Sequence, residues 1–90
     1  MGEVTRLPPV ADPEEALRSA GLVPSAWSAG PGAVFSPHQH RRTKHLFVVS
    51  GSIDFDGVEL RAGEGIVIPA GTMHGAVVGA AGVGCLEAFD

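Results

Sequence analysis

The sequence predicts an all-β domain preceded by one short helix. From Ala26 onward, short apolar stretches alternate with glycine-containing turns, a pattern that is typical of strands. No stretch of this region repeats apolar residues at the helical period. A chain of 90 residues forms one small domain with a limited core. We therefore expect an N-terminal arm and helix over residues 1–25 and a β-domain over residues 26–90.

The N-terminal region predicts an extended arm followed by a helix of about two turns. Residues 1–12 are rich in proline, which favours extended backbone. Asp12 is a preferred N-cap residue, and Pro13 suits the first helical position. Two glutamates follow in the first turn, and Arg18 lies near the end, which matches the helix dipole. Gly21 then ends the helix.

The remaining chain divides into short strands separated by turns. Asp56 and Gly57 form a preferred pair for a tight hairpin, because both tolerate a positive φ angle. Glycine-rich turns are also predicted at residues 30–32 and 79–82. The predicted strands are 26–29, 33–36, 45–50, 52–55, 58–60, 65–68, 74–78 and 84–89.

Three histidines are candidate metal ligands. His38 and His40 are two residues apart, so in a strand their side chains lie on the same face. His74 follows a predicted turn at residues 69–71, and closing the sheet into a small barrel would bring the two strands face to face. Three neutral imidazoles suit a divalent transition metal and leave coordination positions open for water or substrate.

Eight residues match the fixed positions of two known motifs. They are Gly32, His38, His40, Gly51, Gly63, Pro69, Gly71 and His74. In this spacing the chain resembles the cupin superfamily from about residue 26 to residue 89. The resemblance implies a double-stranded β-helix (jelly-roll) barrel with an internal site. The superfamily includes dioxygenases, isomerases, decarboxylases, sensors and storage proteins, so the fold does not choose the reaction.

The chain departs from the family motifs at two positions, where Lys44 replaces the family's glutamate and Val78 its asparagine. If strand alternation is unbroken, Lys44 faces the site. An ammonium group beside a divalent metal is unfavourable unless its pKa falls, an anion separates the two, or the side chain escapes to solvent. A bound carboxylate or enolate would supply that anion, with Lys44 or Arg42 orienting its negative charge.

A second interpretation gives the fourth ligand to His45. If the loop at residues 41–43 absorbs one extra residue, His45 turns inward and completes a four-histidine site. Strand parity favours Lys44 inward, whereas metal chemistry favours His45, because an imidazole coordinates a metal that an ammonium group repels. Both interpretations stay open at this point.

Other candidate groups lie in the second half of the chain. Glu64 falls in a glycine-flanked turn, where the cupin resemblance implies an acid that accepts hydrogen bonds from backbone amides. Cys85 and Glu87 share one strand face. We expect Cys85 to be a small buried residue. If that face is the interior, both residues instead approach the site, as a soft ligand and a proton acceptor.

Composition limits the partners. Six basic against ten acidic residues give a net charge of −4, which does not favour nucleic acid. Neither a membrane-spanning apolar run nor a signal peptide is recognised. A single cysteine fits the cytoplasm. Both faces of the strand at residues 46–49 are apolar, so we expect a homodimer that covers the outer face.

The resulting hypothesis is a small cupin with a mononuclear site for iron, manganese, nickel or zinc at His38, His40 and His74, with His45 as the fourth candidate ligand. It would bind or transform a small anionic or dicarbonyl-like molecule, with dioxygenase-like chemistry as one form of the hypothesis. The alternatives are a non-catalytic binding or sensor cupin and a metal-free structural cupin.

Overall fold

The structure is a computed structural model that describes residues 3–90. Within that range the chain forms one helix, α1 (Pro13–Ser19), and seven strands, which confirms the predicted all-β class with a short N-terminal helix. The strands are β1 (Thr5–Leu7), β2 (Ser25–Ala29), β3 (Val34–His38), β4 (Lys44–Phe55), β5 (Val58–Arg61), β6 (Gly65–Ile68) and β7 (His74–Phe89).

Two long strands, β4 and β7, organise the fold and pair antiparallel along most of their length. The first half of β4 also pairs with β6, which pairs with β1, and the second half of β7 pairs with β2. The other half of β4 pairs with β5, and the other half of β7 pairs with β3. The seven strands form one continuous hydrogen-bonded network, which β4 and β7 fold into two antiparallel sheets around a core, and this confirms the predicted double-stranded β-helix.

Both long strands bend at a glycine. Gly51 of β4 and Gly82 of β7 have positive φ angles of 73° and 78°, and the register between the strands shifts on both sides of Gly51. A Cβ atom on Gly51 would collide with the backbone carbonyl of Gly82, so the close crossing requires glycine. The turn predicted at residues 79–82 is wrong, because this segment continues β7 as an irregular stretch opposite β4.

Three local sequence signals are confirmed. Asp56 and Gly57 have φ angles of 49° and 93° and connect β4 to β5. The side chain of Asp12 accepts a hydrogen bond from a backbone amide in the first turn of α1. The Glu64 carboxylate accepts a hydrogen bond of 2.7 Å from the backbone amide of Arg61, which is the structural role predicted for it.

Alternation along β4 separates an inner from an outer face. Leu46 and Val48 are fully buried in the core between the sheets. Phe47 lies between them on the outer face, where it packs with Leu17 of α1 and with Ala88 of β7. The sequence predicts that a second copy of the chain covers the outer face of this strand. At Phe47 the chain's own helix covers it instead.

The N-terminal arm lies along the sheet. β1 pairs with β6, with Thr5 opposite Val67, and the Val10 amide donates a hydrogen bond of 2.8 Å to the Gly63 carbonyl. The first two residues of the predicted arm lie outside the described residues, and the division of the chain into arm and barrel stays a prediction. Nothing helical within residues 3–90 has both the length and the apolar character needed to cross a membrane.

Candidate metal centre

The three candidate histidines converge where β3 ends and β7 begins. His38 is the last residue of β3, His74 is the first of β7, and the two are paired in register. His40 lies two residues beyond β3, so strand alternation does not position it. The carbonyl of His40 instead accepts a hydrogen bond of 2.8 Å from the Gly71 amide, which ties the two histidine-bearing loops together.

The rings form a compact triad. The ring centroids are 4.9 Å apart for His38 and His40, 4.4 Å for His38 and His74, and 5.1 Å for His40 and His74. One ring nitrogen from each of the three lies within 4.8 Å of the others. A single ion between them could therefore contact all three.

Hydrogen bonds orient two of the rings. His38 Nδ1 lies 2.7 Å from the Ser36 carbonyl oxygen, and His74 Nδ1 lies 3.0 Å from that of Thr72. A carbonyl oxygen only accepts, so Nδ1 carries the proton and Nε2 keeps the lone pair. The Nε2 atoms of His40 and His74 are buried, and no group within residues 3–90 hydrogen-bonds to them. Buried acceptors of this kind fit a metal ion.

Burial also favours the neutral form of two of these rings. Desolvation lowers the pKa of His40 below its ordinary value of 6.5, and the nearby charge of Lys44 lowers it further. Desolvation likewise lowers the pKa of His74, against the opposing effect of its hydrogen bond to Thr72. Because metals bind the neutral imidazole, this environment prepares both residues to act as ligands.

Lys44 faces the interior and is paired. Its Nζ atom lies 3.0 Å from Glu87 Oε1, and the Trp27 indole donates a hydrogen bond of 2.7 Å to the same oxygen. Lys44 is 7% exposed. Strand alternation predicted this orientation. The anion beside the ammonium group is the Glu87 carboxylate of the chain itself. Glu87 carried one signal in the sequence, the strand face that it shares with Cys85.

His45 lies outside the triad. Its Nε2 atom donates a hydrogen bond of 2.9 Å to Asp90 Oδ2, and its side chain lies near Phe47 and Leu17 on the outer face. The predicted four-histidine arrangement is therefore not formed. The loop before β4 absorbs no extra residue, so alternation turns Lys44 inward and His45 outward.

Arg42 supports the end of β7 instead of the site. Its guanidinium group donates hydrogen bonds of 3.0 Å and 2.9 Å to the backbone carbonyls of Phe89 and Asp90. It lies in a surface groove with Leu22 and Val23 and does not line the triad's pocket.

A pocket of about 440 Å³ opens beside the triad, between the two sheets. Trp27 and Phe35 meet edge to face in its wall, with ring centroids 5.6 Å apart. Cys85 is instead buried in the core, where desolvation raises the pKa of its thiol to about 12. The pocket is lined by Ser25, Ala26, Trp27, Ser28, Phe35, His38, Lys44, Ile53, Phe55, His74, Ala76 and Glu87.

Fold and site together define a cupin, and comparison with known proteins agrees. A family model described as Cupin domain matches residues 26–81, more than half of the chain, so the protein belongs to this family. A comparison with curated proteins gives no significant match.

Solved structures show the same fold. An RmlC-like cupin from Shewanella frigidimarina is 30% identical, with a TM-score of 0.66 over 76% of this chain and 64% of that one. The polyketide cyclase RemF from Streptomyces resistomycificus is 28% identical, with a TM-score of 0.63 over 76% of this chain and 54% of that one. A structure of Rhodobacter sphaeroides SigE in complex with the anti-sigma ChrR covers 100% of this chain and 46% of that one, at 18% identity and a TM-score of 0.69, a likeness of fold alone. This chain thus spans less than two thirds of the length of each.

Proposed function

We propose that this chain holds one divalent transition metal through His38, His40 and His74. The observation that supports the proposal is the convergence of three imidazole nitrogens within 4.8 Å of one another. An all-imidazole donor set suits iron, manganese, nickel or zinc. The metal would supply a divalent charge that attracts and polarises oxygen groups.

We propose further that the pocket binds a small molecule with an anionic or dicarbonyl-like oxygen group beside the metal. Lys44 and Glu87 form an ion pair, so their formal charges cancel and the metal's charge would dominate. Lys44 lines the pocket with His38 and His74, which supports a role for its ammonium group in orienting the bound oxygen. Arg42 is engaged elsewhere, and we assign it no part in binding.

Elemental analysis tests the metal site directly. Protein purified without added metal, and protein titrated with iron, manganese, nickel and zinc salts, should bind one ion per chain. His38→Ala removes one of the three donors and should lose that ion while keeping the β-rich circular dichroism spectrum. Wild-type protein that neither carries a metal nor takes one up would refute the proposal.

Catalysis on the bound molecule is the second candidate function, ahead of a pure binding or sensor role in which the metal only captures a ligand. The similarity to RemF supports it, because a structure with the same fold, 28% identical to this chain, is that of a polyketide cyclase. Oxygen consumption and product formation by the metal-loaded protein, with small oxyanions as trial substrates, separate the two roles. Ligand binding without turnover would contradict catalysis and support the binding or sensor role.

A homodimer and a cytoplasmic location stay proposals. Val34 and Val77 face each other across β3 and β7 and are 70% and 50% exposed, so they form an apolar pair on the outer surface. Val34→Asp should lower the mass measured by light scattering at micromolar concentration, whereas Val23→Asp, at an 80% exposed site before β2, should not. A monomeric wild type would contradict the dimer.

A further inference from the structure

Among the described residues, hydrogen bonds reach only one of the two carboxylate oxygens of Glu87. Lys44 Nζ and Trp27 Nε1 both contact Oε1, at 3.0 Å and 2.7 Å. No group within residues 3–90 hydrogen-bonds to Oε2. The Glu87 side chain is 17% exposed and lines the pocket that also contains His38 and His74. The pocket therefore combines the metal centre with an acceptor whose orientation is held by two donors.

The charges around Glu87 decide which donor it would accept. The ammonium group of Lys44 already neutralises the carboxylate. A second cation at Oε2 would be repelled by Lys44 and by a metal at the triad, so an ammonium-bearing ligand gains little. A neutral hydroxyl or N–H group can donate to Oε2 without that repulsion.

The walls between these polar groups are apolar. Trp27, Phe35 and Phe55 line the pocket together with Ile53 and Ala76. Flat or compact apolar bodies pack favourably against aromatic rings. The pocket volume of about 440 Å³ has room for a molecule the size of a substituted benzene ring.

We propose that Glu87 is a specificity-determining residue that selects ligands carrying a neutral hydrogen-bond donor, in addition to the oxygen anion that faces the metal. The ligand class is then a small hydroxy-substituted oxyanion with an apolar, preferably aromatic, body. This inference rests on the proposed function, because the anionic end is assigned to the metal centre.

Simple benzoates test the donor requirement. Trp27 is the only tryptophan of the chain and lines the pocket, so its fluorescence reports binding there. The probes are 3- and 4-hydroxybenzoate, each compared with the corresponding methoxybenzoate, which keeps the oxygen but lacks the donor. In wild-type protein loaded with metal, the better hydroxy isomer should bind about tenfold or more tightly than its methoxy partner, since its donor meets a charged acceptor.

Glu87→Gln separates hydrogen bonding from size. The amide oxygen of glutamine can still accept from Trp27 and Lys44, while its NH₂ group replaces Oε2 and turns an acceptor into a donor. The hydroxy-over-methoxy preference should then disappear. The matched control is Glu59→Gln on β5, the same chemical change at an exposed side chain outside the pocket, which should keep the preference.

Equal binding of hydroxy and methoxy probes by wild type would overturn the inference. An unchanged preference in Glu87→Gln would also overturn it, because the preference would then come from size. A lack of binding by every probe would overturn it as well. Should Glu87→Gln fail to fold, wild type remains decisive: the better-binding hydroxybenzoate must bind more tightly than the similarly sized methylbenzoate with its methyl group at the same ring position. Metal content measured on the same samples separates failure of the Glu87 inference, in which the metal is bound, from failure of the metal site itself.

Discussion

The two faces of β4 meet the same kind of partner in different surroundings. Lys44 and His45 are neighbours in the sequence, and each contacts a carboxylate near the end of the chain. Lys44 Nζ lies 3.0 Å from Glu87 Oε1 on the inner face, and His45 Nε2 lies 2.9 Å from Asp90 Oδ2 on the outer face. The inner side chains are 9% and 17% exposed, whereas the outer ones are 23% and 53% exposed.

This contrast teaches that exposure to solvent, more than contact distance, determines how much a polar pair contributes to stability and to the site. The inner groups are largely removed from water, so each depends on the other for its charge to be tolerated, and both border the metal centre. The outer pair stays in contact with solvent and contributes little. Stability on the outer face comes instead from apolar packing between α1 and Phe47.

The largest expected effect separates the faces by metal binding. His74→Ala removes one imidazole of three and should lower metal affinity by about a hundredfold or more, since even changes behind a ligand cost 10- to 100-fold. His45→Ala, the matched control on the outer face, should leave the affinity unchanged. Calorimetric titration of both variants measures this difference. Weaker metal binding by His45→Ala would bring back the four-histidine site.

The next effect concerns stability on the outer face. Leu17 is 2% exposed and packs with Phe47 and Ala88. Leu17→Ala should lower the free energy of unfolding by about 2–5 kcal/mol, through lost burial and the cavity left behind. The pocket residues are untouched, so metal affinity should not change below the melting temperature. Val23→Ala, at an 80% exposed site, should have almost no effect on urea denaturation. If Leu17→Ala lowers the free energy of unfolding as little as Val23→Ala does, α1 does not support the barrel.

The fold was predictable because its signals are local. The hairpin at Asp56 and Gly57 and the cap at Asp12 each depend on a few adjacent residues, and each histidine motif lies within one continuous stretch of the chain. The continuity of β7 was not predictable in this way. Whether a glycine-rich segment turns or bends depends on the strand that lies opposite, and Gly51 is required because the carbonyl of Gly82 lies against it.

The site was predictable in part for the same reason. His40 was expected from strand alternation, but a hydrogen bond between two loops positions it. At the position of the family's glutamate, strand alternation indicated that Lys44 faces the site, whereas metal chemistry favoured His45. The deciding group was Glu87, which lies on a strand far along the chain and makes an inward lysine tolerable. A local pattern cannot show such a partner.

Breaking the inner pair should have an intermediate effect. Lys44→Met leaves the Glu87 carboxylate with the Trp27 indole as its one hydrogen-bond donor within residues 3–90, so the free energy of unfolding should fall by about 1–3 kcal/mol. Metal affinity should rise, because a cation near the triad is removed and a carboxylate charge is left uncompensated. The double variant Lys44→Met, Glu87→Gln should recover part of the stability. Weaker metal binding by Lys44→Met would show that the ammonium group does not oppose the metal.

The smallest expected effect belongs to the outer pair. His45→Ala removes the contact with Asp90, where half of the carboxylate side chain is exposed. Its loss should lower the free energy of unfolding by less than about 1 kcal/mol, because water replaces the partner. Added salt should shrink this effect further, whereas the effect of Lys44→Met should persist, since screening acts weakly on buried groups. Urea denaturation of both variants at low and high salt makes the comparison. If His45→Ala costs as much as Lys44→Met, burial is not what distinguishes the two faces of β4.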